Sequence, residues 1–396
     1  MIELDVAPRR TQIVAPAGEP ARYLVLGDFG ATSMSRAAEP LAVDRDNLDA
    51  VMSILHVDAG GMRLRGLEDF HPDRLYQRLD MSPSAAPDPK PEPASPQADI
   101  AALLRPTSLL EQIAGEADPF EQYVKELARA HSAPQKKSAD PAAALTERMN
   151  SMLHHPRFQT LESAWRGLDF AIRQMDDVVA RVHIVQFSEN DLAADLASDN
   201  LRATRLYALL HSRRWTAAIA LHSFAEADIE LLARIALVAG DAQVPYLAHG
   251  SPGIASQFFS DIPEATYLGL ALPRLLLRLP YGPRTSPIDS FAFEEMSGAP
   301  VHEHFLWGNA ALACLAVLLR ADADDLNLDH LPAHTYKKDS EWIMTPCGEF
   351  FMTETQVLSL IDRGLMPLVS YKDRPLVRLA GFRSVTGKPL PFSIPF

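Results

Sequence analysis

The chain has 396 residues, 47% of them hydrophobic, and a formal net charge of -14 at pH 7. This length is sufficient for two or three domains with cores of their own. The acidic balance argues against a nucleic-acid backbone or an anionic membrane surface as the main partner, because both attract basic surfaces.

The cysteine content and the apolar runs restrict the class of protein further. The two cysteines, Cys314 and Cys347, provide neither a disulfide framework nor a thiolate set for a metal. The N-terminal "MIELDVAPRR" lacks the apolar centre of a signal peptide, and the longest apolar run, "LWGNAALACLAVLL", is too short to cross a bilayer. We therefore expect a cytoplasmic protein that spans no membrane.

The first predicted elements lie in residues 1–80. "TQIVA" alternates as an edge-like strand, and the apolar run "RYLVLGDF" predicts a buried strand that ends at Gly27. "LDAVMSIL" predicts a short helix after this strand. We expect residues 1–80 to form a small α/β module.

Residues 81–106 are rich in proline and poor in large apolar side chains, which predicts an extended linker. Residues 107–140 follow as a helical segment. Within it, Ser108 and Glu111 have the spacing of a capping box, and Gly115 suits the end of a short helix. The apolar face of this helix consists of Leu109, Leu110 and Ile113.

Residues 141–396 form the larger predicted part, an α/β domain. Apolar residues at steps of three and four predict one buried helical stripe: Phe158, Leu161, Trp165, Leu168 and Ile172. "TAAIALHSF" and "VPYLA" are strand candidates on either side of a helix, and such a unit implies a parallel crossover. The predicted fold class is α/β, with mixed β-sheets covered by helices.

Two short motifs suggest catalysis and fail on closer inspection. Asp28-Phe29-Gly30 resembles the magnesium-binding triplet of kinases, but the phosphate loop, strand lysine and catalytic loop that must precede it are missing. Ser251 lies in a motif similar to a hydrolase nucleophile elbow, but it is followed by Pro252, which has no N–H for an oxyanion hole.

The histidines also fail to predict a metal site. His330 and His334 are four residues apart, the spacing at which two histidines on one face of a helix can bind a zinc ion. Leu331-Pro332 interrupts such a helix, and no nearby Cys or His completes a tetrahedral set of ligands. The chain has no Walker loop and no Gly-x-Gly-x-x-Gly fingerprint. We therefore predict no catalytic residue, no metal site and no cofactor.

The N-terminal and C-terminal parts resemble two families. "ARYLVLGDFGA", "VDRDNLDAVM" and "LRGLEDFHPDRLYQRL" resemble the small contractile-sheath subunit (TssB/VipA-like) of bacterial type VI secretion systems. "FQTLESAWRGLDF" and "YLGLALPRLLLRLPYGPRTSPIDSFAFEE" resemble the large subunit (TssC/VipB-like) of the same sheath. The blocks "WRGL" (165–168) and "LPYG" (279–282) are the most specific.

The resemblance implies a structural, non-enzymatic function. Small and large sheath subunits pair, and the pairs stack as a helical tube that contracts around an inner tube. The implied partners are other copies of the chain or sheath subunits, baseplate components and a ClpV-like AAA+ ATPase.

Two segments are candidate partner-binding elements under this resemblance. Gln12, Ile13 and Val14 are candidates for a strand lent to a neighbour's sheet; alternatively, they form an ordinary edge strand. Leu109, Leu110 and Ile113 resemble the N-terminal helix that the ATPase recognises; alternatively, this helix packs on the body.

The sequence also departs from both families. The small-subunit resemblance stops at Leu79, and the large-subunit resemblance stops at Phe396, before helices and strands that large subunits possess. Two interpretations therefore remain: a sheath protomer or sheath-like adaptor, cap or baseplate-associated protein; or a regulatory module that binds the ATPase or sheath subunits without polymerising.

Overall fold

The computed structural model describes residues 20–32, 39–78, 141–176, 178–297, 300–320, 325–372 and 374–392. The predicted linker (81–106) and docking segment (107–140) lie outside these residues, as does the predicted strand "TQIVA". These three predictions stay predictions.

The described residues contain strands and helices along their whole length. The strands are β1 (Ala21–Gly27), β2 (Leu41–Val43), β3 (Asp58–Ala59), β4 (Met62–Arg63), β5 (Ala180–Gln186), β6 (Ala217–Phe224), β7 (Tyr246–Gly250), β8 (Leu268–Leu272), β9 (Leu275–Arg278), β10 (Leu306–Gly308), β11 (Asn327–Leu328), β12 (Thr335–Lys338), β13 (Glu341–Met344), β14 (Met366–Ser370) and β15 (Val377–Leu379). The helices are α1 (Leu48–Leu55), α2 (Pro72–Arg78), α3 (Pro141–Leu153), α4 (Pro156–Arg173), α5 (Glu189–Leu196), α6 (Arg205–His211), α7 (Ile229–Ala242), α8 (Ala310–Leu318) and α9 (Glu354–Asp362).

Nine strands form one mixed sheet in the order β11-β15-β14-β8-β7-β6-β1-β5-β2. Its centre, from β14 to β5, is parallel. The pairs at both ends are antiparallel: β2 with β5, and β15 with β14 and β11. The sequence prediction of an α/β fold with a mixed sheet is confirmed, and so is the parallel pairing of β6 and β7 around a helix.

Strand β1 lies inside this sheet because its side chains are apolar on both faces. Tyr23 and Val25 belong to the core on one side of the sheet, and Leu24 and Leu26 belong to the core on the other side. The strand pairs in parallel with β5 and with β6. A parallel strand buried on both faces is expected to be a continuous apolar run. The strand ends at Gly27, as predicted.

Helices cover both faces of the sheet. The core on the face of Tyr23 receives side chains from α1, α2, α4 and α8, and the core on the opposite face receives side chains from α5, α6 and α7. Helix α8, with the sequence "AALACLAVL", has all nine residues buried, as a helix that is apolar on every side should. Among the described residues, no helix has both the length and the apolar content needed to cross a membrane.

The predicted helical stripe is confirmed, since its five residues are all buried on α4. The helix that carries the stripe is preceded by a separate helix. Helix α3 ends at Leu153, and α4 begins at Pro156, whose ring leaves no N–H for a helix hydrogen bond. The side chain of His155 caps α4 by accepting a hydrogen bond from the N–H of Arg157.

The N-terminal part and the large part share the nine-stranded sheet. β1 and β2 pair with strands of residues 141–396, and Val51 and Leu75 of α1 and α2 lie in the same core as Trp165. The strands β1 and β2 of the N-terminal part are therefore strands of the common sheet. The boundaries of the four predicted segments stay a prediction.

Candidate functional site

The partner-binding residues predicted from the sequence lie outside the described residues. These are Gln12, Ile13 and Val14 of the strand candidate, and Leu109, Leu110 and Ile113 of the capped helix. The structure brings together a different set of side chains, which are mostly charged and lie on α4 and in the segment from β9 to Met296.

An ion cluster is buried between α4 and the segment that follows β9. Arg278 lies between two carboxylates: its Nε is 2.9 Å from Glu162 Oε1, and its Nη1 is 2.8 Å from Glu295 Oε2. The side chains of both glutamates have no exposed surface. Arg166 donates to Glu162 over 2.7 Å, and the backbone N–H of Tyr281 donates to Glu295 over 2.7 Å. We call these five residues the ion cluster.

Glu295 keeps its charge within the ion cluster in spite of burial. Burial raises the pKa of Glu295, but the charge of Arg278 and hydrogen bonds from His154 and Arg278 outweigh it and lower this pKa to about 2. Burial opposes the charge of Arg278, but Glu162 and Glu295 raise its pKa well above the ordinary value. Two glutamates and two arginines balance each other, so the cluster has no net charge left to attract an ion.

The two sequence blocks that carry the family resemblance meet in this cluster. Arg166 of "WRGL" donates to Tyr281 Oη of "LPYG" over 3.0 Å. The guanidinium of Arg278 lies 4.2 Å from the centre of the Tyr281 ring. Sequence reasoning missed Glu162, Arg278 and Glu295. The available signal was a charged residue within an apolar helix face, for Glu162, and within the apolar run "LLLRLP", for Arg278.

A cleft of about 600 Å³ opens at the carboxyl ends of β1, β5 and β6. Several of its polar lining groups bond to neighbouring protein groups. The Ser223 N–H donates to Glu189 Oε1 over 2.8 Å, and Asn309 Nδ2 donates to the carbonyl of His222 over 3.0 Å. His222 is buried, which lowers its pKa, and its Nε2 lies 2.7 Å from the carbonyl oxygen of Phe187. These bonds hold the strand ends together.

The Asp-Phe-Gly triplet directly follows the end of β1 at Gly27, the strand end expected from the sequence. Asp28 Oδ1 accepts from Gln186 Nε2 over 2.8 Å, and the Phe29 N–H donates to Gln186 Oε1 over 2.7 Å. Trp165 Nε1 donates to the Phe29 carbonyl over 3.1 Å. Gly30 has φ of 66°, in the left-handed region that favours glycine. The triplet therefore joins β1 to β5 and α4.

The serine and histidine motifs singled out in the sequence have structural roles within the fold. Ser251 follows β7 and donates to Glu226 Oε2 over 2.9 Å. His334 lies edge-on to Phe305, with 5.2 Å between ring centres, and His330 has φ of 60°, outside any helix. Among the described residues, no group of three or more His, Cys, Asp or Glu side chains is arranged to hold a metal ion.

Comparison with known proteins identifies the family. The family model of VipB, described as the EvpB/VC_A0108 tail sheath N-terminal domain, matches residues 139–260 and 254–386. The chain is also similar to the type VI secretion system sheath protein TssC1 of Pseudomonas aeruginosa (strain PAO1), with 24% identity over 305 residues. This similarity covers 64% of the chain and 61% of that relative. Because the family model matches more than half of the chain, the chain belongs to the VipB family of tail sheath proteins.

Proposed function

We propose that the chain is a non-enzymatic structural component of a type VI secretion-like contractile apparatus. The observation that carries this proposal is the family match over residues 139–386, which includes both blocks of the ion cluster. The geometry supports it, because Arg278 and Glu295 of the cluster, and Ser223 and Glu189 of the cleft, bond to each other. The proposed role is that of a sheath protomer or a sheath-like adaptor, cap or baseplate-associated protein.

The N-terminal part is proposed to be a small-subunit-like (TssB/VipA-like) segment fused to the large-subunit-like part. The position of β1 supports this proposal, since it pairs on both sides with strands of the part that matches the VipB family. Small and large sheath subunits pair with each other, so a fusion of the two would keep each small subunit beside its large partner. The fused chain supplies both pieces at a fixed ratio.

Assembly with sheath subunits tests the proposal. The full chain is mixed with cognate small and large sheath subunits and studied by size-exclusion chromatography and negative-stain microscopy. We expect multimers or co-elution with sheath or baseplate proteins. A strict monomer that binds none of them contradicts the proposal.

The alternative proposal is a regulatory module that engages a ClpV-like AAA+ ATPase through the capped helix. The observation in its favour is the apolar face of Leu109, Leu110 and Ile113 behind a capping box. Changing Leu109 and Leu110 to Asp should abolish ATPase binding in a pull-down and leave thermal unfolding unchanged. Ser108→Ala, which removes only the predicted cap, is a milder control. Binding that survives the double change excludes this helix as the docking element.

A further inference from the structure

Four arginines lie at the amino ends of three neighbouring strands of the nine-stranded sheet. Arg22 is the second residue of β1 and pairs in register with Arg181, the second residue of β5. Arg213 and Arg214 precede β6, which pairs with β1 on its other side. The Thr216 N–H donates to the carbonyl of Arg22 over 2.7 Å, so the segment before β6 lies directly beside β1. We call Arg22, Arg181, Arg213 and Arg214 the arginine patch.

The arginine patch presents positive charge to water in a chain whose net charge is -14. Arg181, Arg213 and Arg214 are exposed, and Arg22 is half-buried. Within the described residues, the ion pairs between arginines and carboxylates involve neither Arg213 nor Arg214. The guanidinium of Arg213 lies 5.9 Å from the centre of the Trp215 ring, an aromatic face that leaves its charge intact. The charges of Arg213 and Arg214 are therefore available to a partner.

A buried histidine beside the patch is affected by this positive charge. His183 lies on β5 two residues after Arg181, so both side chains are on the same face of the sheet. Burial and then the charges of Arg213 and Arg22 lower the pKa of His183 to about 4. Arginines from two different parts of the chain thus act on the same imidazole. This agrees with their position on one surface.

We propose that the arginine patch binds an extended acidic segment of another protein. Guanidinium groups match the geometry of carboxylates and phosphates, so charge complementarity selects an anionic occupant. The patch extends over three strands with ~4.8 Å between neighbours, which is wide for a single small anion and suits a row of carboxylates. An extended peptide provides such a row, because every second side chain lies on the same face.

Two observations favour a peptide over a nucleic acid as this occupant. The acidic chain as a whole repels the continuous phosphate backbone of a nucleic acid, whereas a short peptide has to approach only the patch. Val178, which precedes β5 at the same end of the sheet, is 82% exposed. It is an apolar neighbour of the patch that the side chains of a peptide can cover. The inference goes beyond the proposed function and does not depend on it.

Binding of a labelled peptide to the full chain tests this proposal. The probe is a fluorescein-labelled peptide of Glu-Ser repeats, whose carboxylates share one face when the backbone is extended. The matched peptide of Gln-Ser repeats is the uncharged control. Fluorescence anisotropy at low and high salt measures the affinity. We expect the Glu-Ser peptide to bind, and to bind more weakly as the salt concentration rises, and we expect the Gln-Ser peptide not to bind.

Variants of the chain locate the binding site. The double change Arg213→Glu and Arg214→Glu should weaken binding of the Glu-Ser peptide by about tenfold or more and reduce its salt dependence. Both side chains are exposed, so this variant should unfold at the same temperature as the unchanged chain. The matched control is Arg284→Glu, since Arg284 is 73% exposed and lies outside the patch. This control should bind the peptide as the unchanged chain does.

The remaining outcomes overturn the proposal. Equal binding by the double variant places the peptide elsewhere, and equal weakening by Arg284→Glu shows only general charge attraction. Inorganic phosphate that displaces the peptide, where sodium chloride of the same ionic strength does not, indicates a site for a small anion. A thymidine oligonucleotide that binds more tightly than the peptide indicates a nucleic-acid surface. A Glu-Ser peptide that fails to bind at low salt excludes the patch as a docking surface for acidic segments. None of these results bears on the proposed function, which assembly with sheath subunits tests separately.

Discussion

Arg278 compensates two carboxylates that have no contact with water. Its replacement by alanine leaves Glu162 and Glu295 buried beside each other without this charge. Breaking a buried pair by removing one partner costs about 3–5 kcal/mol, because the remaining charge is uncompensated. We expect Arg278→Ala to lower the free energy of unfolding by about this amount. Urea unfolding followed by circular dichroism measures the change.

Arg284 provides the matched control for this experiment. It follows the same strand, but its side chain is 73% exposed and lies 3.8 Å from Glu294. Exposed ion pairs contribute about 0–1 kcal/mol, so Arg284→Ala should change the free energy of unfolding by less than about 1 kcal/mol. If both variants lose the same stability, the ion cluster does not stabilise the fold as argued.

Two histidines, the buried His183 and the half-buried His249, give the protein a defined sensitivity to acid. Burial lowers the pKa of His183 and of His249 from 6.5 to about 4, so the folded protein keeps both imidazoles neutral. Below pH 6.5 the unfolded chain takes up protons that the folded chain does not, so acid favours unfolding. We expect stability to be level above this pH and to fall as the pH decreases from 6.5 towards about 4.

Urea unfolding at several pH values in this window measures the effect. His183→Phe removes one buried imidazole beside Trp215, so its stability should fall less steeply with acid than that of the unchanged chain. His56→Asn is the control: His56 is exposed with φ of 55°, and asparagine accepts this backbone conformation. A further loss at lower pH belongs to Glu295 and Glu349, whose pKa values are about 2. An unchanged slope for His183→Phe contradicts the assignment.

Helices α4 and α8 approach each other closely at Gly167. A Cβ atom at this position would overlap the side chain of Leu312, which is fully buried on α8. At an exposed position within a helix, replacing Gly with Ala stabilises the helix. At Gly167 the added methyl group overpacks the core instead, at a cost of about 1–3 kcal/mol. We expect Gly167→Ala to lower the melting temperature.

A double-mutant cycle identifies the contact responsible. Leu312→Ala alone leaves a cavity and should cost about 2–5 kcal/mol. Combined with Gly167→Ala, it provides space for the new methyl, so the double variant should be more stable than the sum of the two single changes predicts. Strict additivity would show that Gly167 and Leu312 are not coupled.

Local patterns were sufficient to predict individual elements. The apolar run of β1 and its end at Gly27, and the residues of α1, follow from side-chain type and turn chemistry. The pairing of β1 did not follow, because an apolar run indicates burial on two faces and does not indicate which strands lie beside it. Ala21 pairs with Ala180, and this register depends on packing across the whole sheet.

The ion cluster was only partly predictable. "WRGL" and "LPYG" were recognised as family blocks, but nothing in their spacing states that Arg166 and Tyr281 touch. Glu162 and Glu295 appeared as scattered carboxylates, since their shared partner Arg278 lies on another element. Tertiary structure brings the residues of a buried polar cluster together from different elements. The periodicity of the sequence can therefore indicate single residues of the cluster but not the contacts between them.

The position of β1 makes the N-terminal part indispensable for the sheet. Without β1, strands β5 and β6 would each lose a parallel neighbour and expose unpaired backbone groups. Tyr23, Leu24, Val25 and Leu26 are each 0% exposed. Full burial of one such side chain contributes about 1.5–3 kcal/mol, so the four together hold the N-terminal part strongly.

We predict that the N-terminal part stays bound to the rest of the chain after the backbone between them is cut. A protease site is inserted within residues 81–106 and the purified chain is cut there. We expect the two fragments to elute together on size exclusion in native buffer and to separate in urea, because β1 remains between β5 and β6 after cleavage. In the matched variant Leu24→Asp, an uncompensated charge lies in the core, so the cut fragments should separate or aggregate. Fragments that part in native buffer and unfold in two independent transitions would show that the N-terminal part is a separate module, and the insertion of β1 would not be what holds the sheet together.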